Sequence, residues 1–149
     1  MCRLLWLFCM LLPLPLSAAD EGLPPGAPQP EAGRVYDISL HDPGELMLLL
    51  RRLEQLSEGP QASGTQPSVA LVLHGPELAY FARDHYDHYR ELVDLAARLD
   101  AFHVIEVKAC RTRMKALGLK PEDMPAFIEL VPYGPDEVER LRREGYLVM

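Results

Sequence analysis

The segment Phe102–Gly118, FHVIEVKACRTRMKALG, predicts a strand that is followed at once by a short helix. Its valines and isoleucine are typical of a buried strand, which we place over residues 103–108. Thr112 can cap the helix, and Gly118 suits the position just after a helix ends. Cys110 is therefore expected in the turn between the strand and the helix.

Strand and helix patterns alternate around this segment, from residue 34 to the end of the chain. VALVL at 69–73 is an unbroken apolar run, typical of a strand buried on both faces of a parallel sheet. Such alternation predicts an α/β fold, a three-layer α/β/α sandwich with a mostly parallel sheet of four to five strands. The predicted strands are 34–40, 69–73, 103–108, 127–131 and 146–149, and the longer predicted helices begin near residues 43, 85 and 134.

The N-terminal region has the pattern of an export signal. Arg3 precedes a thirteen-residue apolar run that ends at Leu16, and Ser17-Ala18-Ala19 supplies the small residues that a signal peptidase reads. The run is too short for a membrane-spanning helix, although an uncleaved anchor remains the alternative. We therefore expect a signal peptide at 1–19, a Pro/Gly-rich flexible tether at 20–33 and a single domain at 34–149. The expected location is the periplasm, without stable membrane insertion.

Charge and composition narrow the classes of partner and cofactor. The formal net charge of −7 argues against nucleic acid as a partner. The chain has no glycine-rich phosphate loop, no CxxC pair and no serine elbow, so no cofactor is expected. His85 and His88 are three residues apart and could share a metal, but the sequence supplies no clear third ligand. A solvated helix start is the preferred interpretation, and no metal site is predicted.

Cys110 is the first candidate for chemistry. Signal cleavage would remove the two other cysteines, and one cysteine left in an oxidising compartment suggests a reactive thiol or a bond between chains. A small buried hydrophobe is the alternative. Lys108, Arg111 and Arg113 crowd around it in sequence, and cations and a helix N-terminus favour the thiolate. The same three cations are candidates for binding an anionic substrate such as a persulfide.

His74 is the second candidate. It follows the strand 69–73 directly, as Asp42 and Cys110 follow theirs, and the carboxyl ends of parallel strands meet at one edge of a sheet. His74 could then act as an acid or base for Cys110, or stabilise its thiolate. A histidine that only hydrogen-bonds the next turn is the alternative.

Three short motifs resemble those of DsrE/DsrF-like proteins. They are VALVLHG at 69–75, Ala109-Cys110 followed by MKALGL at 114–119, and Glu144-Gly145-Tyr146. The resemblance covers about residues 34–149 and implies a small α/β domain that forms ring-like homo- or hetero-oligomers. As the resemblance implies, the cysteine at this place carries sulfur as a persulfide between partner proteins in the sulfur-relay members of the family. Many relatives have Gly-Asn-Thr where this chain has Arg111-Thr112-Arg113.

Two functional hypotheses follow. The first is an exported sulfur carrier that uses Cys110 and has a sulfur donor or acceptor protein as its partner. Transfer through that single cysteine would be its enzymatic step. The second is a non-enzymatic module of the periplasm that binds a small ligand or supports assembly. Both use the sheet edge where His74 and Cys110 are expected to meet.

Overall fold

The structure, a computed structural model, describes residues 33–58 and 69–149, and these form a three-layer α/β/α sandwich. The predicted signal peptide and nearly all of the predicted tether lie outside the described residues. The strands are β1 (Gly33–Ile38), β2 (Val69–Leu73), β3 (Ile105–Cys110), β4 (Glu129–Val131) and β5 (Tyr146–Val148). The α-helices are α1 (Pro43–Ser57), α2 (Tyr86–Ala101), α3 (Arg111–Ala116) and α4 (Gly134–Arg143), with 3₁₀ turns at Pro76–Phe81, Arg83–His85 and Pro121–Asp123.

The five strands form one parallel sheet in the order β4-β3-β2-β1-β5. Every residue of β2 is buried, as expected for a central strand with helices on both faces. The prediction of a mostly parallel sheet of four to five strands is therefore confirmed. No helix in the described parts of the chain is long and apolar enough to cross a membrane.

The two faces of the sheet have cores of unequal size. On one face, α1 and α2 pack their leucines against alternate residues of β2 and β3, including Leu71 and Val107. On the other face, only Val138 and Leu141 of α4 meet Val35, Ala70 and Val72, with Tyr146 beside them. Period-two alternation along each strand sends neighbouring residues to opposite cores. The face under α4 is thus held by fewer apolar contacts, which leaves more of its stability to polar groups.

The junction of β3 and α3 differs from the expectation in one respect. β3 continues through Cys110, which is also the N-cap of α3, whereas Thr112 donates its hydroxyl to the carbonyl oxygen of Pro132 at 3.0 Å. Gly118 has the expected left-handed conformation, φ +73°, just after the helix. The prediction that Thr112 caps the helix was wrong because the strand runs two residues further than its apolar pattern indicates.

Candidate functional site

Three side chains meet the α4 face at the carboxyl edge of the sheet. Asp37 is two residues beyond Val35 on β1, His74 follows β2, and Cys110 ends β3. The paired register of Leu73 with Ala109 places His74 beside Cys110 on adjacent strands, which are about 4.8 Å apart in such sheets.

Gly134, the first residue of α4, lies directly over His74 and Cys110. A β-carbon built on Gly134 would be 2.8 Å from Cβ of His74 and 3.4 Å from Cβ of Cys110. The expected meeting of His74 and Cys110 is therefore present. Asp42 follows β1 at the same edge, where its side chain caps α1 by accepting the amide N–H of Gly44 at 2.9 Å.

Cys110 is a buried thiol, with only 1% of its surface exposed. Its Sγ atom accepts the backbone N–H of Arg113 at 3.4 Å, the bond that caps α3. α3 is short, as expected, and with only six residues its dipole is weak. The sulfur is thus oriented by a specific hydrogen bond but is covered, whereas the sequence suggested an accessible turn.

Lys108 was predicted as a cation that faces the substrate, and the structure assigns it a different place. Its side chain is 3% exposed, and its Nζ atom lies 3.0 Å from Glu106, 2.5 Å from Glu129 and 3.3 Å from Glu137. Desolvation opposes its charge, but hydrogen bonds to Glu129 and Glu106 outweigh burial and raise the Lys108 pKa. Three carboxylates therefore neutralise this cation, and it is not free to bind an anion.

Arg111 and Arg113 remain candidates for anion binding. Neither forms an ion pair with a carboxylate within residues 33–58 or 69–149; Arg111 is exposed and Arg113 is half-buried. The Nε atom of Arg113 is buried, and no acceptor in the described part of the chain reaches it. An unsatisfied buried donor costs about 1–3 kcal/mol, so an anion that reached this atom would relieve a real penalty.

Asp37 is a site residue that the sequence interpretation missed. Its Oδ1 atom pairs with Nε2 of His74; the side chains are 43% and 24% exposed respectively. The available signal was the alternation in β1, which puts Asp37 on the same face as Val35. The missing information was the register, which fixes the neighbour of each residue across the sheet.

A buried carboxylate explains why a glycine follows His74. Glu77 is fully buried and accepts the backbone N–H groups of Gly75 at 2.7 Å and Leu40 at 2.9 Å. A β-carbon at Gly75 would be 2.3 Å from Oε2 of Glu77 and 2.7 Å from Cα of Ser39. The loops after β1 and β2 are therefore tied together, and the tie holds His74 at the end of its strand.

The two histidines considered for metal binding and two surface clefts lie away from His74 and Cys110. Within residues 33–58 and 69–149 no three potential ligands cluster for a metal ion. His85 donates its Nδ1–H to the carbonyl oxygen of Ala79, and His88 packs edge-on against Tyr89. One cleft of about 360 Å³ lies between α1 and α2, and another of about 300 Å³ lies between Phe81 and Met124. Neither of these two clefts is lined by His74 or Cys110.

Comparison with known proteins supports the fold and leaves the activity open. No family model matches the chain, and no curated protein matches it. Among solved structures, it is similar to a protein of unknown function, MTH1491 from Methanobacterium thermoautotrophicum, with a TM-score of 0.63 and 18% identity. The similarity covers 80% of this chain and 98% of that one. Both chains therefore share this α/β architecture over the domain.

Proposed function

We propose that the chain is a sulfur carrier that holds sulfur as a persulfide on Cys110. The observation that carries the proposal is the placement of Cys110 next to His74 at the carboxyl edge of the sheet, under Gly134. A thiol with an adjacent imidazole has a base that can take its proton, the usual requirement for a nucleophilic cysteine. Arg113 supports the proposal with a buried, unpartnered Nε–H that suits an anionic sulfur species.

The proposed transfer involves no net oxidation. The Cys110 thiol gives its proton to His74, and the sulfur attacks the outer sulfur of a donor persulfide. The donor's S–S bond breaks, and its inner sulfur leaves as a thiolate that takes the proton from His74. A persulfide then remains on Cys110. Because Cys110 is buried, the turn at Tyr133–Gly134 must move aside for the donor.

The direct test is peptide mass analysis after the purified protein has been incubated with a small-molecule persulfide donor, without reductant. The Cys110 peptide is expected to gain the mass of one sulfur atom. We expect no gain in Cys110→Ser and a slower gain in His74→Asn, while His88→Asn, a change at an exposed histidine away from the site, should behave as the wild type. A wild-type Cys110 peptide that gains nothing would refute the proposal.

The burial of Cys110 favours a second candidate, a non-enzymatic module that binds a ligand or supports assembly. A structural thiol at 1% exposure needs no base, and the His74–Asp37 pair would then serve stability alone. The rate of Cys110 alkylation in the folded protein separates the two. Alkylation that requires global unfolding favours the module, and alkylation through a faster local opening favours the carrier.

We also propose where the protein is located and that it forms an oligomer. The apolar N-terminal run with Ser17-Ala18-Ala19 supports export to the periplasm by a cleaved signal peptide. The DsrE/DsrF-like motifs support a homo- or hetero-oligomer that exchanges sulfur with a donor or acceptor protein. N-terminal sequencing of the exported protein, expected to begin at Asp20, tests the first point. Light scattering tests the second, and a monomer mass at every concentration would contradict it.

A further inference from the structure

The pair formed by Asp37 and His74 has a geometry that the proposed sulfur transfer can use. Asp37, His74 and Cys110 lie at the ends of three adjacent strands and face α4 together. The order across the sheet is carboxylate, imidazole, thiol. A carboxylate that is bonded to one ring nitrogen fixes which nitrogen carries the proton.

We propose that Asp37 is a positioning residue that holds His74 as the Nε2–H tautomer with its Nδ1 lone pair free to act as the base. The bonded nitrogen in the structure is Nε2, and a carboxylate oxygen can only accept. In the described part of the chain, no hydrogen bond reaches Nδ1 of His74. The inference rests on the proposed function because Nδ1 has a role only if Cys110 gives up a proton.

The alternative for this pair is a simple tie between β1 and β2. The backbone already supplies one such tie, since the N–H of His74 donates to the carbonyl oxygen of Ile38 at 3.0 Å. A partly exposed side-chain pair of this kind contributes little to stability. Asp37 is 43% exposed, so its removal is expected to leave the domain folded. A structural tie would change neither the tautomer of His74 nor the rate of sulfur loading.

The test combines nitrogen NMR of the His74 ring with the rate of persulfide loading, both at about pH 8, where an ordinary imidazole is neutral. We expect the wild type to show the Nε2–H tautomer and Asp37→Ala to show a mixture. Loading in Asp37→Ala should be about 10-fold slower or more, the usual effect of removing an orienting partner. Asp37→Glu keeps a carboxylate, which can only accept, so it should retain the tautomer and recover part of the rate. Asp87→Ala removes an exposed carboxylate that pairs with Arg90, and it should match the wild type in both readouts.

The outcomes separate the inference from the proposed function. An unchanged tautomer in Asp37→Ala would overturn the inference, as would a changed tautomer with an unchanged loading rate. A wild type that loads no sulfur would overturn the proposed function and, with it, the role of Nδ1 as a base. The tautomer comparison would then still show whether Asp37 orients the ring.

Discussion

Gly134 shows at the scale of one residue how closely α4 lies over the candidate site. Its α-carbon position leaves no room for a methyl group, which would meet Cβ of His74 at 2.8 Å. A backbone shift would then be needed, because the contacted atom is next to the main chain and cannot rotate away. Overpacking of this kind costs about 1–3 kcal/mol.

We expect Gly134→Ala to lower the free energy of unfolding by about 2 kcal/mol, measured by urea denaturation. Gly44→Ala is the matched control, since Gly44 is also in the first turn of a helix and its added carbon would meet only the Asp42 side chain, whose nearest atom, Oδ1, is 3.3 Å away. Alanine is favoured over glycine in helices by about 1 kcal/mol, so the control should be neutral or stabilising. Equal destabilisation in the two variants would contradict the close packing of α4 on the site.

The residues of the candidate site were only partly predictable from the sequence. Cys110 and His74 could be placed at one edge because each follows an apolar run that ends at the same level of a parallel sheet. The surroundings of Lys108 could not be predicted, because its partner Glu129 is 21 residues away and depends on the pairing of β3 with β4. Because Lys108 is close to Cys110 in sequence, it was expected to bind an anion, whereas the strand register places it among three carboxylates.

At the scale of elements, the charge network under α4 compensates for a small apolar core. Lys108 on β3 meets Glu137 of α4, and Glu137 also accepts from Arg140 at 2.6 Å and 2.9 Å. Only Val138 and Leu141 of α4 belong to the buried apolar cluster on this face. The Lys108–Glu137 pair therefore adds one ionic contact between this helix and the sheet to the two apolar anchors.

We expect Lys108→Met to lower the free energy of unfolding by about 2 kcal/mol, because charged hydrogen bonds are worth about 1.5–3 kcal/mol. The loss should stay below that of a fully buried pair, since Glu129 is 55% exposed and Glu137 keeps Arg140. Arg142→Met is the control; its pair with Glu139 is exposed and should contribute little to stability. Urea denaturation at neutral pH is the measurement. A Lys108 variant as stable as the Arg142 variant would show that the network is dispensable.

The same network predicts how stability depends on acid. Hydrogen bonds from Arg140, opposed by desolvation and helped by Lys108, lower the pKa of Glu137 below its ordinary value of 4.5. A lowered folded-state pKa stabilises the fold above the unfolded value, and that contribution is lost as the pH falls through the folded value. Stability should therefore decline below about pH 4.5. Glu137→Gln removes this group from the titration.

We expect the free energy of unfolding to fall less between neutral pH and about pH 3 in Glu137→Gln than in the wild type. The comparison uses urea denaturation across that range. Glu122→Gln, at an exposed glutamate without an ion pair in the described part of the chain, should follow the wild-type curve. Parallel curves for wild type and Glu137→Gln would show that Glu137 does not contribute to acid sensitivity.

At the scale of the molecule, the unbroken run VALVL was sufficient to place the central strand. Its five residues are all buried, and it pairs along its whole length with β1 and β3. The bounds of the other strands were less certain. β5 begins at the predicted residue 146, but β4 begins two residues later than the predicted strand 127–131, and β3 is shifted by two residues from the predicted 103–108. Apolar pattern thus indicates where a strand lies, and pairing with its neighbours determines where it begins and ends.

This contrast predicts a gradient of local stability across the sheet. β2 has a strand on each side and a helical layer on each face, so its amides can exchange with solvent only when the whole domain unfolds. β5 pairs with β1 through three residues, and Leu147 and Val148 are 46% and 41% exposed, so it can fray alone. Hydrogen exchange followed by mass spectrometry should therefore show Val69–Leu73 as the slowest segment and Tyr146–Val148 among the fastest. Sub-denaturing urea should accelerate β2 strongly and β5 only slightly, because global unfolding exposes far more surface than local fraying. A β5 segment protected as long as β2 in the isolated domain would contradict this account, unless light scattering showed a second copy covering that edge.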